Sequence, residues 1–355
     1  MISMLIRFEN NPILTKHSLK PSFDNWIIEC VLNPGVFKFE GKTWMLLRVA
    51  ERPFQQNGQV SFPIFDHQGD IEVKVFDDQD PDLDVSDPRM IIYKKETFLS
   101  TISHLRLVCS DDGQNFYEPE DRPASLFGQG SYETYGIEDC RVTFLEDQYL
   151  LTYTQVSDKG VGVGLMVTKD WLNFERTDMI LPPHNKDCAI FEEKIDGQYF
   201  CFHRPSGLGL GGNFIWIASS PDLKHWGNHK CIVQTRPGMW DSIRVGAGTG
   251  PIRTSEGWLA IYHGANEKHR YCLGALLLDL HDPSIVIARS VDPIMEPDFE
   301  YEQNGFFSNV IFTNGHVVEG DKITMYYGAA DEVICGATLS VAAILKSLVP
   351  ASVSI

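Results

Sequence analysis

Several short segments of the chain carry charged and aromatic residues where apolar runs begin or end. Asn33 precedes a hairpin that returns to Arg48, and Glu138-Asp139 is followed by Arg141. His184-Asn185-Lys186-Asp187 opens another run, and Trp240-Asp241-Ser242 leads to Arg244. Tyr262-His263-Gly264 closes that segment, and Tyr326-Tyr327-Gly328 precedes Asp331-Glu332. Charges seldom open buried-looking strands unless they are paired or at work. Brought together, these groups would line a site rich in carboxylates, arginines and aromatics. Sugars suit such a site: aromatic faces stack on their C–H surfaces, and Asp, Asn, Arg and His hold their hydroxyls. Breaking a glycosidic bond requires an acid for the leaving oxygen and a nucleophile on the other side. Asp139, in GIEDCR, is the leading candidate for the acid. Its neighbour Glu138 alternates with it along a strand and is expected to point away. The competing reading of Asp139 is an ion pair with Arg141 or another arginine. Asp187, Asp241 and Asp331 read as hydroxyl binders or structural caps. His263 reads as a ligand-binding group, because it ends a strand in YHG, against the alternative of a satisfied core histidine.

The elements that must position these residues are repeated hairpins. An apolar strand, an acidic or glycine turn and an aromatic-rich strand recur in NPGVFKFEGKTWMLLRV (33–49), EDCRVTFLEDQYLLTYT (138–154), KDCAIFEEKIDGQYFCFHR (186–204), GAGTGPIRTSEGWLAIYHG (246–264) and SNVIFTNGHVVEGDKITMYYG (308–328). Such turns between alternating strands are hairpin signals. The last four recur at roughly 50 to 60 residues, the period of propeller blades. The longer first gap holds an Asp- and Pro-rich stretch, Asp77 to Pro88, expected to be a loop. A second repeat, SDDGQNF (110–116), TKDWLNF (168–174) and SPDLKHW (220–226), marks the outer hairpins, and DLKHWGNH is expected to plug one of them. The expected fold is all-β, a five-bladed β-propeller over residues 1–355 as one domain, with a short tail helix over Ser340 to Leu348. The alternatives are a β-sandwich and two all-β domains. If the inner strands line one funnel, the polar clusters face one another.

Composition narrows the partners. The chain has 355 residues, with 48 acidic against 30 basic ones and a formal charge of −18. That balance argues against nucleic acid and anionic membrane, which need clustered Lys and Arg. The N-terminal stretch lacks a signal peptide's long apolar run, and no segment approaches the roughly 18 apolar residues of a membrane span. The eight cysteines are scattered, without CxxC or zinc-like spacing. The cytoplasm is the expected setting, with a processed periplasmic form left open. GLGLGG (207–212) follows HRPS and lacks a following helix and acidic partner, so it does not make a dinucleotide loop. GxSxG, HExxH and a Walker lysine are missing too, and neither metal nor cofactor is expected.

The motifs NPGV with LLRVAERP, GIEDCRV, PPHNKDCAIFEEKI, HRP, IWIASSPDLKHWGNH, MWDSIRVGAGTGPIRTSEGWLAIYHGA, YCLGALLLDLHDP and YYGAADEVICGA run in order from Asn33 to Ala337. In them the chain resembles glycoside hydrolase family 130. The resemblance implies a five-bladed propeller that cleaves β-mannosides with inversion at the anomeric carbon. Most described members are phosphorylases, and some hydrolyse β-1,2-mannosides. It also implies that Asp139, on the Asp of the family's GxEDPR motif, is the proton donor, its proton travelling through a sugar hydroxyl. Asn33, Arg48, Asn185, Lys186, Arg204, Arg244, His263 and Tyr271 fall on phosphate-binding and subsite positions, and Asp331 on a mannose-contacting one. Three departures stand out: Cys140 where Pro is usual, His184-Asn185 before Lys186, and Arg244 where many phosphorylases carry Lys. Arginine still binds phosphate, often in bidentate fashion.

Phosphorolysis and hydrolysis require different second partners. Inorganic phosphate, as co-substrate and nucleophile, needs a cationic cradle, here Arg48, Lys186, Arg204, Arg244 and His263. Water needs a carboxylate base across the bond from the acid, and Glu267 in GANEKHR is the candidate, against a solvated loop charge. The sequence slightly favours an exo-acting phosphorylase releasing mannose 1-phosphate from β-1,2-oligomannosides. A β-1,2-mannosidase and a non-catalytic glycan-binding propeller are the alternatives. A homo-oligomer is compatible with all three.

Overall fold

The computed structural model describes residues 4–66, 68, 70–177, 179–207 and 211–351. It is nearly all β. Within it five larger antiparallel sheets follow one another along the chain. The first holds Trp26–Phe39, Lys42–Pro53, Ile102–Ser110 and Ser125–Leu126. The second holds Ile137–Leu145, Gln148–Ser157, Gly160–Thr168 and Glu175–Arg176. Asn185–Ile190, Tyr199–Pro205, Ile215–Ser220 and Gly227–Val233 make the third. Arg244–Ala247, Trp258–Ala265, Tyr271–Leu278 and Val286–Arg289 are the main strands of the fourth. Ile311–Glu319, Lys322–Ala329 and Val333–Ser340 form the fifth, with Leu5–Arg7 from the other end of the chain as its outermost strand.

Each predicted hairpin supplies the first strands of one sheet. Three of the turns, Glu40-Gly41, Glu146-Asp147 and Asp196-Gly197, have left-handed backbone at both central residues, which matches the twist of the flanking strands. The core is distributed between sheets rather than centred. Phe37, Trp44 and Leu107 of the first sheet pack on Ile137, Leu151 and Trp171 from the second. Leu150 and Leu165 pack on Ile190 and Cys201, and Phe202 and Ile217 on Val245 and Trp258. Ile261 and Leu273 pack on Ile311 and Met325. Tyr326 and Ile334 then return to Val31, Met45 and Val49 of the first sheet. Middle strands are therefore apolar on both faces, and clean alternation survives only at the rims.

The opening strands approach closely. A Cβ added at Gly35 would lie 2.7 Å from the carbonyl oxygen of Cys140 on the next sheet. Arg141 ties the second sheet to the fourth, donating to the carbonyls of Gly248 at 2.7 Å and Ala247 at 2.9 Å.

The stretch Asp77 to Pro88, expected to be a loop, belongs to a more ordered insertion. Gln59–Phe65 pairs with Ile71–Asp77, and Leu83–Asp84, Met90–Tyr93 and Glu96–Leu99 form a small sheet. The aromatic cluster of Phe62, Phe76, Tyr93 and Phe98 holds these pieces together; their spacing matches none of the main repeats, which is why the strands went unread. The tail helix is present as Val341–Ser347, capped by the Ser340 side chain on the Ala343 N–H. Trp226 is partly buried against the core between the second and third sheets. Residues 208–210 of GLGLGG lie outside the described residues. No helix among the described residues is long and apolar enough to cross a membrane, and all eight cysteines are free.

Candidate active site

The opening strands do not run straight through their ends. Register shifts interrupt the first hairpin between Leu32 and Gly35, the second between Glu138 and Arg141, and the third between Lys186 and Ala189. At these bulges Asn33, Asp139 and Asp187 adopt φ of 39°, 49° and 54°, and Asp331 after the fifth hairpin adopts 49°. Left-handed backbone at non-glycine residues is costly and collects at functional sites. A bulge also re-aims side chains. Glu138 consequently does not point away: it and Asp139 line the same cavity, of about 310 Å³.

Asn33, Arg48, Glu138, Asp139, Lys186, Asp187, Arg204, Arg244, His263, Tyr271 and Asp331 all line this cavity. The Asn33 amide donates to Asp139 Oδ1 at 3.0 Å. Arg48 donates to Asp139 Oδ1 at 3.3 Å and to Glu138 Oε1 at 2.7 Å. Arg141 reaches Asp139 only through its backbone carbonyl, at 3.1 Å, so the expected partner of the carboxylate is Arg48 instead. Asp187 pairs with Arg204 at 2.9 Å and Arg141 at 3.2 Å, and the His263 ring lies 3.5 Å from it. Arg244 hydrogen-bonds the Tyr271 hydroxyl.

Burial pushes the Asp139 carboxyl up, but Arg48, Lys186 and the Asn33 amide outweigh it and hold the group below the usual range. Asp187 behaves likewise: burial pushes it up, but Arg204 and Arg141 prevail and hold it low. Asp331 goes the other way. Burial, joined by the charge of Asp139, lifts it to about 6 against the pull of Arg48. His263 is pushed down to about 3, chiefly by burial and then by the nearby arginines, against the pull of Asp187. It is therefore neutral at neutral pH and adds no charge to a cradle. Arg48 is likewise engaged by carboxylates. The cations that remain are Lys186 and Arg244, without a carboxylate in ion-pair range among the described residues, and Arg204, shared with Asp187. Arg204 Nη1, Arg244 Nε and both ring nitrogens of His263 are buried without a hydrogen-bond partner among the described residues. Buried donors left unpaired are costly, and an acceptor-rich anion would satisfy the two arginines and the one ring nitrogen of neutral His263 that carries a proton.

Three candidates lie elsewhere. Asp241 is fully buried, held by Arg289 at 2.6 Å, Arg236 at 2.8 Å and the Tyr262 hydroxyl at 3.0 Å. Arg289 lies far from it in sequence, so this structural network was not visible there. Asn185 faces His203 Nδ1 at 3.1 Å, because alternation along its strand turns it away from the side that Lys186 takes. Glu267 is exposed in the turn that Asn266 caps by accepting from the Lys268 and Arg270 N–H groups, and it does not line the cavity. The cavity also contains residues that sequence reading missed: Glu138, Arg89 and Leu99 from the insertion, and Phe306 and Phe307 before the fifth sheet. The aromatic pair in NGFFSN was the only local signal. No group of metal-ligating side chains occurs among the described residues.

Residues 77–349 match the model of glycoside hydrolase family 130 described as β-1,4-mannooligosaccharide phosphorylase. A β-1,2-mannobiose phosphorylase from Listeria innocua is 42% identical over 350 residues, covering 97% of this chain and 98% of that protein. A 1,2-β-oligomannan phosphorylase from a Thermoanaerobacter strain is 42% identical over 238 residues, covering 66% of this chain and 77% of that protein. The solved structure of the Listeria innocua enzyme with β-1,2-mannobiose superposes with a TM-score of 0.92 over 97% of this chain and 98% of the other.

Proposed function

The chain belongs to glycoside hydrolase family 130, and on that premise we propose that it is an inverting, exo-acting β-1,2-mannoside phosphorylase built as a single five-bladed β-propeller. It is an enzyme acting on β-mannosides, which removes the non-catalytic binding alternative. The five larger sheets, with apolar cores between neighbours and the fifth packed back on the first, support the propeller. The family model is described by the β-1,4 linkage, but the relative aligned over nearly the whole chain acts on the β-1,2 linkage, and the proposal follows the latter.

The observation that carries phosphorolysis is one cavity holding Asp139 together with Lys186, Arg204 and Arg244. These cations suit a phosphate nucleophile. Glu267, the candidate base that the sequence offered for water, is exposed and does not line the cavity, which supports the same choice. In this mechanism a phosphate oxygen attacks the anomeric carbon from the face away from the leaving oxygen. The C–O bond breaks, and the proton originating at Asp139 goes to the leaving oxygen. Inversion of a β-mannoside yields α-mannose 1-phosphate and a saccharide shorter by one unit. Cations hold Asp139 deprotonated in the free enzyme. Phosphate bound to Lys186 offsets that cation's share of the field and favours the protonated acid needed for the reaction. The eight free cysteines support a cytoplasmic setting.

Product analysis on β-1,2- and β-1,4-mannobiose, with and without inorganic phosphate, tests the reading. Mannose 1-phosphate formed from the β-1,2 substrate only when phosphate is present is the expected result. Free mannose released at the same rate without phosphate would overturn phosphorolysis.

A further inference from the structure

Glu138 is a buried carboxylate to which the reaction above assigns nothing. The bulge between Glu138 and Arg141 turns it into the cavity beside Asp139, where alternation would have sent it away. There the two carboxylates share one guanidinium. Every nitrogen of the Arg48 fork is engaged: Nε donates to Ser103 Oγ at 3.1 Å, Nη2 to Glu138 Oε1 at 2.7 Å and Nη1 to Asp139 Oδ1 at 3.3 Å. The bond to Glu138 is the shortest of the three and the bond to Asp139 the longest. Ser103 and Glu138, both buried, thus fix the fork, and Asp139 receives only its remaining arm. The Asn33 amide also ends on Oδ1, at 3.0 Å. Among the described residues Asp139 Oδ2 accepts no hydrogen bond. The other charges that act on Asp139 are Arg141 on its own strand and Lys186 from the third sheet, with Asp331 after the fifth hairpin. Arg244 and neutral His263 of the fourth sheet and Arg89 of the insertion line the same cavity. Asp187 and Arg204 of the third sheet pair with each other.

We propose that Glu138 is a positioning residue for the proton transfer: it holds Arg48 in the short bond and keeps the guanidinium from closing a bidentate pair on Asp139. The inference rests on the reading of Asp139 as the acid. An acid must take up a proton before it can give one. A carboxylate held by both arms of a guanidinium resists that, because the ion pair favours its charged form. One guanidinium between two carboxylates leaves one of them short of a counter-charge, and the distances make that one Asp139. Without Glu138, Arg48 Nη2 would be free to turn to Oδ2, and Asp139 would face the whole charge of the arginine. With it, one arm is engaged by a carboxylate that does not react, and the negative charge of that carboxylate favours the protonated acid. Oδ2 is then the oxygen that carries the proton. Glu138 touches no reacting atom in this scheme and acts through Arg48.

The pH dependence of kcat/KM for β-1,2-mannobiose at saturating phosphate tests this role in Glu138→Gln. Activity that needs protonated Asp139 falls as pH rises through the pKa of that acid. Glu138→Gln keeps the size of the side chain and removes its charge. It should move the falling limb to lower pH by about one unit, while the KM for phosphate stays within about twofold. Glu138→Asp, which restores the charge, should bring the limb back toward its wild-type position. A limb that stays in place in Glu138→Gln overturns the proposal, whether activity is intact or only the KM for mannobiose rises, as a plain sugar contact would give. A limb that moves to higher pH overturns it too. Carbon-13 NMR titration of the labelled Asp139 carboxyl reads the same effect without turnover: its midpoint should fall in Glu138→Gln, and an unchanged midpoint refutes the role. Near-normal turnover in Asp139→Asn would refute the reading of Asp139 as the acid, and the role of Glu138 with it. That result is distinct from an inactive Asp139→Asn beside an unshifted Glu138→Gln.

Discussion

Asp139 owes its environment to three neighbours from different parts of the chain. Arg48 and Asn33 hold its side chain from the first sheet, and Lys186 adds its charge from the third. Replacing Asp139 with Asn keeps the shape and removes the proton. The expected loss in kcat is about 10²- to 10⁴-fold, with little change in the KM for phosphate; mannose 1-phosphate release gives both. Asp331 offers a test by pH. Its folded value of about 6 lies above the ordinary 3.8, so the native state binds more protons than the unfolded one between those values. Stability from this group therefore falls as pH rises through that window. Asp331→Asn should raise Tm above about pH 6 and give no gain at pH values below the ordinary carboxylate range, as thermal melts across pH would show.

At the scale of elements, two devices recur from sheet to sheet. Bulges at the start of the opening strands turn consecutive polar residues into the cavity, which simple alternation would forbid. At the opposite rim, Asp112, Asp170 and Asp222 each accept two backbone N–H groups of the turn that follows, as in the pairs from Leu172 and Asn173 at 2.9 and 2.8 Å. These are the outer hairpins of the second sequence repeat, and their aspartates are structural. Close approach of opening strands is the tightest constraint. Gly35→Ala would drive a methyl into the Cys140 carbonyl at 2.7 Å. The first and second sheets would have to part, at a cost of about 1–3 kcal/mol. Urea denaturation should show that loss, and phosphorolysis should weaken with it because Asn33 and Asp139 flank the contact.

For the molecule as a whole, the ends of the chain matter most. Leu5–Arg7 completes the fifth sheet by pairing with Val333–Ser340. Arg7 Nε reaches the fully buried Glu302 carboxylate at 2.7 Å, and the Tyr327 hydroxyl donates to that carboxylate at 2.8 Å. Arg7→Ala strands a buried charge and should destabilise the fold by about 3–5 kcal/mol, measurable by urea titration. Charge is also distributed at this scale. The chain carries −18 overall, yet the cavity lining includes Arg48, Arg89, Lys186, Arg204 and Arg244 beside Glu29, Glu138, Asp139, Asp187 and Asp331. That local balance lets a phosphate enter a molecule whose surface repels it.

The sequence by itself determined the hairpins, their turns and the presence of Asp139, Lys186 and Asp187 at strand starts, because these depend on local periodicity and turn chemistry. It also carried the family motifs. Only the tertiary structure decided which polar residues meet. Asp241 and Asn185 looked like their neighbours in sequence, but a distant arginine and a facing histidine claim them. Glu138 was expected to turn away, and a bulge, which leaves no period to read, brought it in. Arg89 and Phe307 come together across more than half of the chain, and contacts formed between such distant segments have no signature in either segment alone.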